Sequence, residues 1–146
     1  MSKVTEDGLV VVHRAFSCVD INALVSEFQW EQPTMKMYGK EFMMPRQVAF
    51  MGDEGLQYTY SRNVTHLANM WSLLVGLLRT GVAYKAGHTF NCVLANLYQD
   101  GNNKVGWHSD DEKDMSQEHS IASLSFGASR DFLLRDKETK QITPRS

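Results

Sequence analysis

The sequence predicts an α+β fold in one domain covering residues 1–146, with helices packed on an antiparallel sheet or partial jelly roll. Apolar residues recur at helical spacing in the first half of the chain, and β-rich segments separated by turns dominate the second half. Helices are expected first and strands after them, which argues against a parallel sheet built from alternating strands and helices.

The first half is predicted to contain two helices. Asp20 is expected to cap a helix that runs to residue 30, and a second helix is expected over residues 66–79 with Gly81 at its C-terminal end. The remaining segments are an opening strand at 10–12, a loop or short hairpin at 32–46, and strands at 47–50 and 56–61.

The second half is predicted to be mainly strand. Residues 90–98 are rich in β-forming side chains and end at the polar turn 99–103. Two further strands are expected at 121–126 and 131–135, separated by the turn 127–129.

Composition limits the classes of function. The net charge of −2 gives no overall attraction for nucleic acid, although a local basic patch can still provide one. The sequence contains neither a membrane-spanning apolar run nor a secretory signal, so we expect an intracellular monomer, nuclear or cytoplasmic, with no membrane partner. Cys18 and Cys92 form neither a disulfide framework nor a zinc-binding pair and are expected to be reduced thiols.

The strongest chemical signal is the segment 107–110, with sequence WHSD. Side chains two positions apart in an extended segment point to the same side, so His108 and Asp110 can face one ion. They would supply two of the three ligands of the 2-His-1-carboxylate site that binds non-haem Fe(II). Alone, such a pair is more often a surface turn. Asn96 and Tyr98 also lie two apart and can hydrogen-bond a carboxylate-bearing ligand from one face.

Three ordered motifs carry a family resemblance: FNCVLANLYQDG at 90–101, WHSDDE at 107–112 and IASLSFGASRDF at 121–132. Together they resemble the AlkB-like Fe(II)- and 2-oxoglutarate-dependent dioxygenases, in particular the animal nuclear members that repair double-stranded DNA. The resemblance implies a double-stranded β-helix, or jelly roll, backed by N-terminal helices. It also implies oxidative demethylation of alkylated nucleobases in DNA with Fe(II), 2-oxoglutarate and O₂. The partner would be alkylated DNA or, alternatively, RNA.

The resemblance also implies roles for individual residues. His108 and Asp110 would bind iron, and Asn96 and Tyr98 would bind 2-oxoglutarate. Tyr60 would stack on the flipped base. The other implied substrate contacts are Tyr58, Ser61, Asp111 and Glu112 in the base pocket, Tyr38 as an aromatic finger in the duplex, and Arg46, Lys40 and Arg135 at phosphates.

Two parts of the family site have no counterpart in the sequence. His119, in a polar loop before the strand at 121, does not match the position of the family's second histidine, and neither Arg130 nor Arg145 matches its 2-oxoglutarate-binding arginine. We therefore expect a domain truncated at its C-terminus, with a natural short form as the alternative. An RNA or protein demethylase, or a catalytically incomplete nucleic-acid-binding fragment, remains open as another function.

Overall fold

The computed structural model describes residues 2–4, 9–60, 64–110 and 120–145. Within these ranges the strands pair antiparallel, each with one neighbour, in two-stranded sheets. None of the helices described is long and apolar enough to cross a membrane. The elements are β1 Ser2–Val4, β2 Val10–Val12, α1 Ile21–Ser26, β3 Thr34–Met37, β4 Lys40–Met43, β5 Gln47–Gly52, β6 Gln57–Tyr60, β7 Val64–Leu67, α2 Leu73–Ala86, β8 Cys92–Leu97, β9 Phe132–Arg135 and β10 Ile142–Arg145.

The mixture of helices and antiparallel strands agrees with the predicted α+β class, but the order of elements differs from the prediction. Strands precede and separate the two helices, because the segments on both sides of α1 pair locally as hairpins. The described strands form pairs and no closed barrel, so the jelly roll stays a prediction.

The sheet formed by β5 and β8 lies at the centre of the described fold. Its register runs from Gln47 opposite Leu97 to Gly52 opposite Cys92. Every residue of β5 after Gln47 is buried, which is typical of a strand covered on both faces. This sheet therefore gives β8, which carries Asn96, a rigid support.

Both helices pack against this sheet. Leu24 of α1, Met51 of β5 and Val75 and Leu78 of α2 form one buried apolar cluster. Burial of such side chains is the main stabilising contribution of a core of this kind. Partly buried side chains that pack around the cluster are Phe16, Val19, Phe28, Trp71, Leu74, Val93 and Phe126.

The first helix begins as predicted and ends early. The Asp20 carboxylate accepts a hydrogen bond from the Asn22 amide at 3.0 Å, which caps the first turn. The helix stops at Ser26 rather than at residue 30. The Trp30 indole donates back to the Val25 carbonyl at 3.0 Å, and the Phe28 amide donates to the same carbonyl at 3.4 Å, so the helix ends in a tight turn that a side chain supports.

The prediction for the second helix was wrong at both ends. Residues 64–67 belong to β7, which pairs with β6, and the helix begins after Ser72, whose hydroxyl accepts from the Val75 amide at 3.3 Å. Gly81 lies inside the helix, where an added Cβ would stand 2.8 Å from the Phe16 ring. The helix ends at Gly87, whose φ of 78° is the left-handed conformation of a C-cap.

The last part of the chain differs from the prediction in two places. Residues 121–126 form no regular strand, although their sequence alternates as a strand would. The strand predicted at 131–135 is present as Phe132–Arg135 and pairs with β10, which was not predicted. Pro144 disfavours a strand assignment from sequence, because proline has no backbone N–H to donate to a neighbouring strand. An edge strand tolerates it, since one of its sides has no neighbouring strand to hydrogen-bond.

Candidate active site

His108 and Asp110 lie in an irregular loop after β8, on the same side of the chain. The Nε2 atom of His108 lies 3.7 Å from the Oδ1 atom of Asp110, and about half of each side chain is exposed. Ser109 between them is more buried, as the alternation of an extended segment requires. The spacing therefore presents an imidazole nitrogen and a carboxylate oxygen to one open position.

A hydrogen bond to the backbone orients the His108 ring. Its Nδ1 atom lies 2.9 Å from the carbonyl oxygen of Gly106. A carbonyl oxygen only accepts, so Nδ1 carries the hydrogen and, in the neutral ring, Nε2 is left with a free lone pair. Metal-binding histidines are typically held by a bond of this kind on the nitrogen that does not bind the metal.

These donor atoms fit a divalent ion such as Fe(II). Nitrogen and oxygen ligands bind first-row ions at about 2.0–2.2 Å, so two ligands at right angles lie about 3 Å apart. The observed separation of 3.7 Å needs a shift of less than about 1 Å, which side-chain rotation can supply. Within the part of the chain that the structure describes, no group of three or more histidine, cysteine, aspartate or glutamate side chains could hold a metal. Ser61, Asp111, Glu112 and His119 lie outside the described residues.

Asn96 and Tyr98 lie at the end of β8, where the chain enters this loop. Asn96 is exposed on β8 opposite the buried Val48, and Tyr98 directly follows the strand with 36% of its surface exposed. The Arg130 guanidinium lies over the Tyr98 ring, 5.7 Å from its centre, within the range of a cation–π contact.

Arg46 is buried behind Asn96. Only 4% of its surface is exposed, and its Nε donates to the Asn96 Oδ1 at 2.8 Å. Burial lowers the pKa of the Arg46 guanidinium, an effect that the nearby Tyr98 opposes. The sequence suggests a substrate contact for Arg46, and the structure gives its side chain an interior position; the substrate contact stays a prediction.

Further arginines and a backbone bond hold the loop that carries His108. The Lys104 amide donates to the Pro45 carbonyl at 2.9 Å. Arg130 donates to the Asn103 carbonyl at 2.6 Å, and the Arg135 guanidinium lies 4.4 Å from the centre of the Trp107 ring. These contacts fix the two flanks of the loop and so restrict where His108 can lie.

Sequence reasoning did not find the contacts of Arg130 and Arg135. It placed Arg135 at a phosphate and left Arg130 without a role. In the sequence, both arginines simply lie in or next to a predicted strand. This position does not indicate which aromatic ring each guanidinium contacts.

Tyr38 stands at the tip of the hairpin formed by β3 and β4. Met37 pairs with Lys40, so Tyr38 and Gly39 form a two-residue turn, with φ of 53° and 77°. Positive φ at both positions is the type I′ geometry that matches the twist of a hairpin. The Tyr38 side chain is 97% exposed, as a finger that contacts a partner would be.

Tyr58 and Tyr60 lie on β6, which pairs with β7. Tyr58 is opposite His66 and Tyr60 is opposite Val64 in the backbone register. Their contact with a base stays a prediction.

The chain belongs to the 2OG-Fe(II) oxygenase superfamily, whose family model matches residues 14–145. Among named proteins it is similar to the AlkB-like dioxygenases. It is 40% identical over 111 residues to DNA oxidative demethylase ALKBH2 of Mus musculus, covering 76% of this chain and 46% of that protein. It is 38% identical over 117 residues to alpha-ketoglutarate-dependent dioxygenase alkB homolog 3 of Homo sapiens, covering 80% of this chain and 40% of that protein.

The similarity extends to plants. The chain is 31% identical over 115 residues to DNA oxidative demethylase ALKBH2 of Arabidopsis thaliana, covering 77% of this chain and 37% of that protein. The chain thus spans less than half the length of the curated relatives described. The family is named for its use of 2-oxoglutarate and Fe(II).

Proposed function

We propose that this protein oxidatively removes alkyl groups from nucleobases in DNA, with Fe(II), 2-oxoglutarate and O₂. The observation that carries the proposal is the pair His108 and Asp110, whose donor atoms lie 3.7 Å apart with His108 held in the ligand tautomer. The names of the relatives, among them DNA oxidative demethylase, support DNA as the substrate.

Different residues would bind the metal, the co-substrate and the nucleic acid. His108 and Asp110 would hold Fe(II), which when bound supplies the oxidation of the alkyl carbon by O₂ and 2-oxoglutarate. Asn96 and Tyr98 would bind the 2-oxoglutarate carboxylate by hydrogen bonds. The protein's own contribution is to orient these ligands and to exclude water from the reacting carbon.

The nucleic acid would be bound on the side of the hairpins. Tyr38 would insert at the duplex from the β3–β4 tip, and Tyr60 would stack on the extruded base, with Tyr58, Ser61, Asp111 and Glu112 around it. Extrusion is required because the alkylated atom of a stacked base is not accessible to an enzyme.

We further propose that the protein acts as a monomer inside the cell, in the nucleus or cytoplasm. Its cysteines support a reducing compartment, since Cys18 and Cys92 are both free thiols.

The test measures formaldehyde released from an N-methylated single- or double-stranded DNA oligonucleotide and succinate formed from 2-oxoglutarate, with the matching RNA as comparison. We expect product only with Fe(II) and 2-oxoglutarate present, more from DNA than from RNA, and none from Asp110→Ala. Equal turnover of methylated RNA would contradict the DNA assignment. Turnover that survives Asp110→Ala would contradict the metal site.

A further inference from the structure

The buried Arg46 and the exposed Asn96 form a contact between neighbouring strands of the central sheet. Arg46 directly precedes β5, and Asn96 lies on β8 next to Leu97, the partner of Gln47. The Arg46 Nε donates to the Asn96 Oδ1 at 2.8 Å from a side chain that is 4% exposed. A short bond from a buried guanidinium restrains the amide from behind.

The identity of the donor determines which end of the amide is free. A guanidinium has five N–H donors and no acceptor, so the Asn96 atom that faces it must be the oxygen. The two N–H groups of the Asn96 Nδ2 are therefore left for another acceptor. Without such a restraint an asparagine amide can present either end, since its oxygen and nitrogen have nearly the same shape.

Arg46 itself is anchored by a second contact. Its Nη1 lies 3.4 Å from the Lys104 carbonyl, and the Lys104 amide donates to the carbonyl of Pro45, the residue before Arg46. These contacts connect Arg46 to the loop behind Asn96. They limit the rotation of the guanidinium and so the direction of its Nε–H.

We infer that Arg46 is a positioning residue that fixes the Asn96 amide with its N–H groups toward the ligand, so that the site accepts a carboxylate. The inference rests on the proposed function, in which that ligand is 2-oxoglutarate. A reversed amide would place its oxygen against the ligand's carboxylate, and two acceptors cannot form a hydrogen bond. Arg46 thereby selects for an anionic ligand without touching it.

The binding test uses the full chain, Mn(II) in place of iron, and calorimetric titration with 2-oxoglutarate. Arg46→Met removes the donors and keeps an unbranched apolar stem, and we expect 2-oxoglutarate to bind about tenfold more weakly. Asn96→Ala should have a similar effect, and the double variant should bind no more weakly than Asn96→Ala alone, because both changes remove one interaction. Arg14→Met, an exposed arginine outside the site, is the control and should bind as the unchanged chain does.

A second readout needs no ligand. The Nε–H signal of Arg46 in the NMR spectrum should be protected from exchange with water, and Asn96→Ala should remove this protection. Arg46→Lys retains the charge but lacks the planar fork, so it should recover less than half of the lost affinity. Affinity for Mn(II) alone should be the same in all variants, which separates positioning from loss of the fold.

The outcomes distinguish the inference from the proposed function. Unchanged 2-oxoglutarate affinity in folded Arg46→Met, or an unprotected Arg46 Nε–H, would overturn the inference. If Asn96→Ala also leaves the affinity unchanged, or the unchanged chain does not bind 2-oxoglutarate, the proposed co-substrate site fails and the NMR result decides the contact separately. If Arg46→Met does not fold, the 2-oxoglutarate affinity of Arg46→Lys and the exchange protection of the Arg46 Nε–H test the inference instead.

Discussion

The Nε2 atom of His108 and the Oδ1 atom of Asp110 face each other at 3.7 Å across a single intervening residue. This separation is too long for a strong hydrogen bond and suits two atoms that share a small cation. The Gly106 carbonyl holds the other ring nitrogen, so the Nε2 atom keeps the lone pair of the neutral ring. A metal ion between them would satisfy both groups at once.

His108→Ala and Asp110→Ala should each weaken binding of Mn(II) or Fe(II) by at least about 10–100-fold. Removal of a group that only supports a metal ligand already has an effect of this size, and these residues are the proposed ligands themselves. Calorimetric titration with Mn(II), without nucleic acid, measures the effect. His13→Ala, an exposed histidine in an earlier turn, is the matched control. Undiminished affinity in Asp110→Ala would remove this loop from the metal site.

Tyr38→Asn should weaken binding of double-stranded DNA by about 1–3 kcal/mol, the typical contribution of an aromatic side chain that stacks on a base. The hairpin itself should survive, because asparagine tolerates the positive φ of 53° better than tyrosine does. Fluorescence anisotropy with a labelled duplex measures binding, and thermal unfolding measures stability. Tyr38→Phe is the control and should bind normally. A DNA affinity that Tyr38→Asn leaves unchanged would exclude the finger role.

Gly52→Ala should destabilise the protein by about 1–3 kcal/mol, the usual result of overpacking a core. An added Cβ would lie 3.0 Å from the Asn91 carbonyl oxygen and from the Leu56 side chain. Gly76→Ala is the matched control in the interior of α2, where a Cβ meets nothing within 4 Å and should stabilise by about 0.5–1 kcal/mol. Denaturant unfolding measures both. Changes of the same sign would contradict the packing around Gly52.

Cys18 should react with iodoacetamide faster than Cys92 in the folded protein. Cys18 is exposed, whereas burial, followed by the nearby Asp53 carboxylate, raises the pKa of the Cys92 thiol and lowers its thiolate fraction at neutral pH. Mass spectrometry of the labelled peptides measures the two rates. Cys18→Ser should remove the fast phase, and unfolding in urea should bring the rates together. Faster labelling of Cys92 in the folded state would contradict its burial.

Asp136→Ala should loosen the β9–β10 turn at neutral pH and have little effect in strong acid. The backbone N–H groups of Thr139 and Glu138 donate to the Asp136 carboxylate and hold its pKa below the ordinary 3.8. A depressed folded-state pKa adds stability above pH 3.8, and this stability is lost as the pH falls through the folded value. Hydrogen exchange of the Lys140 amide, which donates to the Asp136 carbonyl, measures the turn.

The control for this experiment is Glu138→Ala, which keeps the backbone donor and should leave the turn intact at both pH values. An effect of Asp136→Ala that is equally large in acid would mean that the carboxylate does not act through its charge.

The sequence by itself determined the features that depend on a few neighbouring residues. The Asp20 cap, a short hairpin within residues 32–46 and the common side of His108 and Asp110 all follow from local geometry. Short-range rules are reliable here because few conformations are open to such residues. The family resemblance added roles for Asn96 and the other site residues, and these roles stay predictions.

Only the tertiary structure decided the features that join distant segments. The apolar repeat predicted a helix from residue 66, but pairing of Val64–Leu67 with β6 displaced its start beyond Ser72. The contact of Arg46 with Asn96 joins residues 50 positions apart, and the charge of an arginine alone predicts an exposed surface position. Such contacts depend on which strands pair and on the hydrogen bonds that a buried charged group needs. A local sequence pattern predicts neither of these.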